Sequence, residues 1–215
     1  MTRGQKGSFL LSPRILLSTV VVLVVVAAAL STKVVTVSAA EAVGKGGFDP
    51  AAYANERFES EVATRIRDNA VDLATLNSEL AKGADPSKFG KSAGSSSAYS
   101  FPVKFEATAG TPAGSILPVT VDKIPENVKV QVQVGPAVNG TALRDAPGSI
   151  QFNDFTNQLE FQKIATELNN QARERVLSKV DSASLVGKKV SIVGAFTRVN
   201  PGLISVVPVT IEVQQ

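Results

Sequence analysis

The chain has 215 residues, 44% of them hydrophobic, and contains neither Cys nor His. That composition excludes disulfides, thiol nucleophiles, Cys/His zinc sites and a Ser-His-Asp triad. The formal charge is +3, but Arg3, Lys6, Arg14 and Lys33 alone give +4 with no acid before residue 34; subtracting them leaves −1, so the remainder lacks the basic excess that draws nucleic acid.

Ile15 to Leu30 is a run of Ile, Leu, Val and Ala broken only by Ser18 and Thr19. Extended to Thr32, a helix of this length spans about 27 Å, close to the thickness of a bilayer core. The basic residues before it place the N-terminus in the cytoplasm and the rest of the chain outside. The alternative is a cleaved signal peptide, with "VSAA" (Val37 to Ala40) as its cleavage site. The uncleaved reading divides the chain into a cytoplasmic stub and transmembrane signal-anchor over 1–33, a stalk over 34–47 and an exported α+β domain over 48–215. Its partner would be the membrane, held through the N-terminal helix. Its location would be the cell membrane, single-pass, with the C-terminal domain extracytoplasmic.

The exported part opens on "FDP". Asp49 is placed as a structural cap and Pro50 suits the first helical position. Apolar residues at Tyr53, Phe58, Val62, Ile66, Ala70, Leu73, Leu76 and Leu80 predict one long amphipathic helix over 49–80. Strands follow. "FPVKFEA" alternates from Phe101, with Pro102 pointing to an edge or an end. "SILPVTVDK" is weaker, and "VKVQVQV" alternates from Val128 to Val134. "SIQF" adds a short strand over Ser149–Phe152. A helix is predicted from Phe155 to about Val180, with Asn153 or Asp154 as its cap. "KKVSIVGAFTRV" and "ISVVPVTIEV" close the chain as strands joined by "NPG", and Gly194 is placed for a kink or bulge. The order predicts an OB-like, five-stranded, partly open barrel. It has a long N-terminal helix and a second helix between strands 3 and 4, and a single transmembrane helix precedes it. An open α+β sandwich is the alternative.

"FDP", "GPAVNGTALRDA", "FNDFTNQLEF", "GAF" and "PVTIEV" together resemble a bacterial family of predicted periplasmic lipoproteins of unknown function (domain of unknown function 2291). The resemblance covers roughly 44–213 and is most specific over 135–161. It implies a cell-envelope location and a link to sugar uptake, because members are often encoded beside sugar ABC transporters. A sugar ligand or sugar ABC transporter components are therefore the implied partners. The resemblance supplies no reaction, no catalytic residues and no cofactor. A lipoprotein needs a Cys to carry lipid, and this chain has none; the membrane helix would take over that task.

The densest polar stretch is Gly140 to Phe161. Arg144 offers a planar fork of donors, Asp145 and Asp154 acceptors, and Asn153, Asn157 and Gln158 both. With Thr141, and with Phe152 and Phe155 as flat apolar surface, Arg144, Asp145, Asn153, Asn157 and Gln158 form a candidate sugar site. The competing reading is structural. Asp154 would cap a helix, Arg144 and Asp145 would pair, and the amides would tie a loop to the barrel. Asp145, Asp154 and Glu160 also offer carboxylates for glycoside hydrolysis. No metal, dinucleotide or P-loop spacing is present. Asn139-Gly140-Thr141 fits a glycosylation triplet and reads as a turn. Three classes of function follow: an accessory or binding module, a structural envelope protein that contacts another protein, and a carbohydrate-active enzyme.

Overall fold

The computed structural model describes residues 47–93 and 98–214. The chain divides after Gly47, and Phe48–Gln215 is the unit treated below. The helix expected over Ile15–Thr32 lies outside the described residues, as do the stub and almost all of the stalk. Among the described residues no helix is long and apolar enough to cross a membrane. The transmembrane helix, the membrane tether built on it and the single-pass location thus find no support among the described residues and play no further part.

The long helix is also corrected: it is three helices serving two cores. Asp49 Oδ1 accepts from the N–H groups of Ala51 (2.9 Å) and Ala52 (3.2 Å) and opens α1, Pro50–Arg57. A π-helical turn, Phe58–Ala63, leads into α2, Thr64–Asp68. Asn69 then ends the helix, donating from Nδ2 to the Arg65 carbonyl at 2.8 Å. Val71–Asp72 forms a two-residue strand, β1. Asp72 Oδ1 accepts from the Thr75 N–H at 2.8 Å and starts α3, Leu73–Ala81. Short Asn and Asp side chains compete for backbone groups in this way, and apolar spacing does not register that competition.

β2 (Ser100–Ala109), β3 (Ile116–Thr120), β4 (Lys129–Gln133), β5 (Lys189–Thr197) and β6 (Leu203–Val213) form the barrel. Their order is β2-β3-β4-β6-β5, and β5 returns to pair with β2 from Ser100↔Thr197 to Thr108↔Lys189. The barrel is therefore closed, where the sequence predicted a partly open one. β4 and β6 run parallel, and the other barrel pairs are antiparallel. The residues from Ser149 to Phe152, expected to add a short strand, are in no strand. β1 lies parallel to β2, Val71 opposite Val103.

Gly194 makes the closure possible. The β5–β6 register shifts between Val193 and Gly194, and a Cβ at Gly194 would lie 2.4 Å from the Val207 carbonyl oxygen. A bulge there increases local twist, which a small barrel needs. The barrel interior is filled by Phe101, Val103, Leu117, Val132, Ile192 and Val206, with Leu73, Leu76 and Leu80 of α3 packed into the same cluster. A second cluster holds Phe58, Val62 and Ile66 against Ile164 and Leu168, with Ala195, Val207 and Val209 from the other face of β5 and β6. The periodic face read as one stripe is thus shared, Phe58 to Ile66 in one core and Leu73 to Leu80 in the other. The helices of this second layer are α1, the π turn, α2, a four-residue α4 (Ala142–Asp145) and α5 (Gln158–Arg175), which lies between β4 and β5 in the chain.

Candidate functional site

The polar block folds as a corner between β4 and α5. Arg144 and Asp145 are buried, at 6% and 8% exposure. Arg144 Nε donates to Asp145 Oδ1 at 2.6 Å and Nη1 donates to the Phe161 carbonyl at 3.1 Å. The guanidinium also lies over the Phe161 ring, 3.6 Å from its centroid. Its donor fork and its flat face are therefore both engaged within the protein.

Asn157 is the N-cap of α5: its Oδ1 accepts from the Glu160 N–H at 2.9 Å while Glu160 Oε2 accepts from the Thr156 N–H at 3.0 Å. The cap expected at Asn153 or Asp154 is thus at Asn157, and "NQLE" carries the Asn-x-x-Glu signal that locates it. Asp154 caps a different element. Its Oδ2 accepts from the Gln151 N–H at 2.9 Å and secures the one-turn 3₁₀ segment Phe152–Asp154. Phe155 packs edge-on against Phe48 and Tyr53, with centroids 5.3 and 5.6 Å away. Thr141 is half-buried, and its carbonyl accepts from the Arg144 and Asp145 N–H groups. Asn153 and Gln158 are exposed and face solvent. Two amides that sequence reading passed over lie below the corner. Gln133 grips the Asn139 backbone through both ends of its amide, at 2.7 and 3.1 Å, and Asn169 Nδ2 donates to the Gly140 carbonyl at 2.9 Å.

Asp145, Asp154 and Glu160 each accept a protein hydrogen bond. Among the described residues no group of His, Cys, Asp and Glu is placed to hold a metal ion.

Outside the corner a cleft of about 480 Å³ opens between α3, β2, β5 and the segment after β3. Asp72, Lys104, Glu106, Asp122, Lys123 and Ser191 line its rim, with Phe105, Val121 and Val193 also in its wall. The Thr75 N–H lowers the Asp72 carboxyl from its ordinary range, aided by the Thr75 hydroxyl and the Lys123 and Lys104 charges and opposed by partial burial. Lys123 has φ of 64°, and it is the one non-glycine residue with positive φ among the described residues. Sequence reading missed this cleft because its rim comes from four separate stretches of chain.

A family model described as a predicted periplasmic lipoprotein matches residues 20–212. The chain belongs to that family, DUF2291. Membership identifies it as a protein of an extracytoplasmic, periplasmic family whose function is unknown, and that location replaces the single-pass membrane one. This DUF2291 member has no cysteine to carry a lipid. No curated protein matches the chain. Among solved structures it is similar to an OB-fold protein of Thermotoga maritima, with 22% identity over 78% of this chain and 99% of that one and a TM-score of 0.59. The likeness is one of fold.

Proposed function

We propose that this DUF2291 protein is an extracytoplasmic accessory protein that acts by binding a sugar, in association with a sugar ABC transporter, and that the sugar sits in the cleft around Lys123. The observation that carries the reading is Lys123 itself. A left-handed conformation costs a non-glycine residue roughly 1–2 kcal/mol, and such strain clusters where a side chain must be aimed. Here it accompanies a ring of mixed donors and acceptors, Lys104, Lys123 and Ser191 with Asp72, Glu106 and Asp122. Adjacent sugar hydroxyls need that mixture, and the half-buried Val193 offers apolar surface to sugar C–H groups. The transporter link rests on the resemblance to proteins encoded beside such systems.

In this reading the residues Thr141, Arg144, Asp145, Asn153, Asn157 and Gln158 divide. Arg144, Asp145 and Asn157 fix the corner, while Asn153 and Gln158 remain open to a partner. Catalysis is the weaker alternative. The carboxylates first considered for glycoside hydrolysis, Asp145, Asp154 and Glu160, each accept a hydrogen bond within the protein. The test is calorimetric titration of the full chain with a panel of pentoses and hexoses, beside Lys104→Gln and Lys123→Gly. One sugar should bind saturably to wild type and at least about tenfold more weakly to each variant. Absence of binding across the panel, or equal binding by the variants, rejects the assignment.

A further inference from the structure

We propose that a second cleft, formed by α2, the Pro86–Lys88 turn and the Ala146–Pro147 corner, binds a phosphate group carried on a small organic ligand. The cleft has a volume of about 250 Å³. Arg65, Lys88 and Lys91 line it, and no carboxylate does. Three cations around one opening stand out in a chain whose charge beyond residue 33 is −1, the +3 total less +4.

The backbone holds each cation in place. Arg65 lies on α2. Lys88 ends a 3₁₀ turn capped by Asp85, whose Oδ1 accepts from the Ser87 N–H at 2.9 Å. Lys91 forms an isolated bridge with Ser100, with N–H to carbonyl distances of 2.9 and 2.7 Å. The Lys91 stem then passes over Gly148 (φ +71°), where a Cβ would lie 2.9 Å from Lys91 Cγ. Gly90 is constrained in the same way, since a Cβ there would lie 2.6 Å from Phe101 Cδ1.

The charged ends are exposed, and among the described residues only Lys88, near the Asp85 carboxylate, and Arg65, near Glu61, have an acid within reach. Among the described residues Lys88 and Lys91 form no ion pair. Arg65 Nε approaches Glu61 only to 4.0 Å, and that carboxylate is taken by Arg57 at 3.1 Å. A carboxylate ligand would bring one negative charge to three cations, and a phosphomonoester brings nearly two. Val71, Phe89, Pro102 and Pro147 supply an apolar wall for the organic part. Phosphate of this kind occurs on free metabolites as a monoester and in lipid headgroups as a diester. The charge count favours the monoester.

The experiment titrates the full chain by calorimetry at low salt with phenyl phosphate, inorganic phosphate and glycerophosphoglycerol, the water-soluble headgroup of phosphatidylglycerol. Phenyl phosphate should bind saturably, more tightly than inorganic phosphate, and more weakly as salt rises. The variant Lys88→Gln/Lys91→Gln should weaken it at least about tenfold, since two of three charge-assisted contacts are lost. Because both side chains are exposed, its thermal unfolding should match wild type. Lys179→Gln/Lys188→Gln removes the same charge elsewhere and should leave binding unchanged. Tighter binding of the diester than the monoester assigns the site to a lipid headgroup and supports the same phosphate chemistry. No saturable binding of any probe, or equal losses in both double variants, overturns the proposal. Sugar binding at the Lys123 cleft should survive Lys88→Gln/Lys91→Gln, so the two proposals fail separately.

Discussion

Arg144→Ala is the sharpest test of the corner. The substitution removes the Nε and Nη1 hydrogen bonds to Asp145 and to the Phe161 carbonyl and the cation from above the Phe161 ring. It leaves Asp145, which is 8% exposed, as a buried carboxylate without its partner. Breaking a buried pair from one side costs about 3–5 kcal/mol. In a chain of this size each kcal/mol lowers the melting temperature by about 2–4 °C, so the expected drop is about 6–20 °C. Differential scanning calorimetry of wild type and Arg144→Ala reads it directly. The pair itself is a weak source of stability, because desolvation cancels much of its attraction. Arg144→Met/Asp145→Leu should therefore recover most of the loss. A single variant melting within about 2 °C of wild type would refute the clamp, for Arg144 would then be less committed than its geometry requires.

Other consequences can be measured on the same material. Gly194→Val should cost at least about 1–3 kcal/mol in urea unfolding, because the added side chain meets the Val207 carbonyl at 2.4 Å. Asn157→Ala should cost about 1 kcal/mol and speed amide hydrogen exchange in the first turn of α5, where the Glu160 N–H loses its acceptor. Lys123→Gly should leave the urea midpoint unchanged or raised, since glycine relieves the φ of 64°. Asp72 has a lowered carboxyl pKa, so its contribution is complete above the ordinary aspartate range and is lost as pH falls through the lowered value. Asp72→Asn, which can still cap α3, should flatten that acid limb of stability; identical pH profiles would contradict the role given to Asp72.

What the sequence made legible was local. The alternation of Val128 to Val134 and of Phe101 to Ala107 marks strands because one face of each lines a core. Asp49 before Pro50 marks a helix start because both residues act within one turn. Gly194 stands out because few residues other than glycine suit a bent strand centre. The errors come from competition and closure. Asn69 and Asp72 each offer the backbone a non-helical partner, and the apolar spacing running through them hides the break. Asp154 and Asn157 are both good caps three residues apart, and the Glu at 160 decides between them by answering Thr156. Barrel closure depends on Ser100 meeting Thr197, 97 residues away, and no local pattern encodes that pairing. The burial of Arg144 follows from the same long-range packing. Density of polar groups alone does not separate a clamp from a site.

The break in the N-terminal helix links fold to surface chemistry. Had residues 49–80 run on as one helix, Leu73, Leu76 and Leu80 would continue the face of Phe58, Val62 and Ile66 and could not fill the barrel. The interruption lets one amphipathic stretch serve two cores, and it also produces β1, laid against β2. β1 borders both clefts: Asp72 lines the larger with Lys104 and Lys123, and Val71 lines the smaller near Lys88 and Lys91. Asn69, which stops α2, lines the smaller cleft as well. The residues that violate the helical pattern are therefore those that shape the two surface openings. Arg144 and Asp145 are closed on one another, whereas Ser149 Oγ and Asn169 Oδ1 are buried without a hydrogen-bond partner among the described residues. Recognition by this domain is accordingly sought where the helix breaks, on the outside of the barrel.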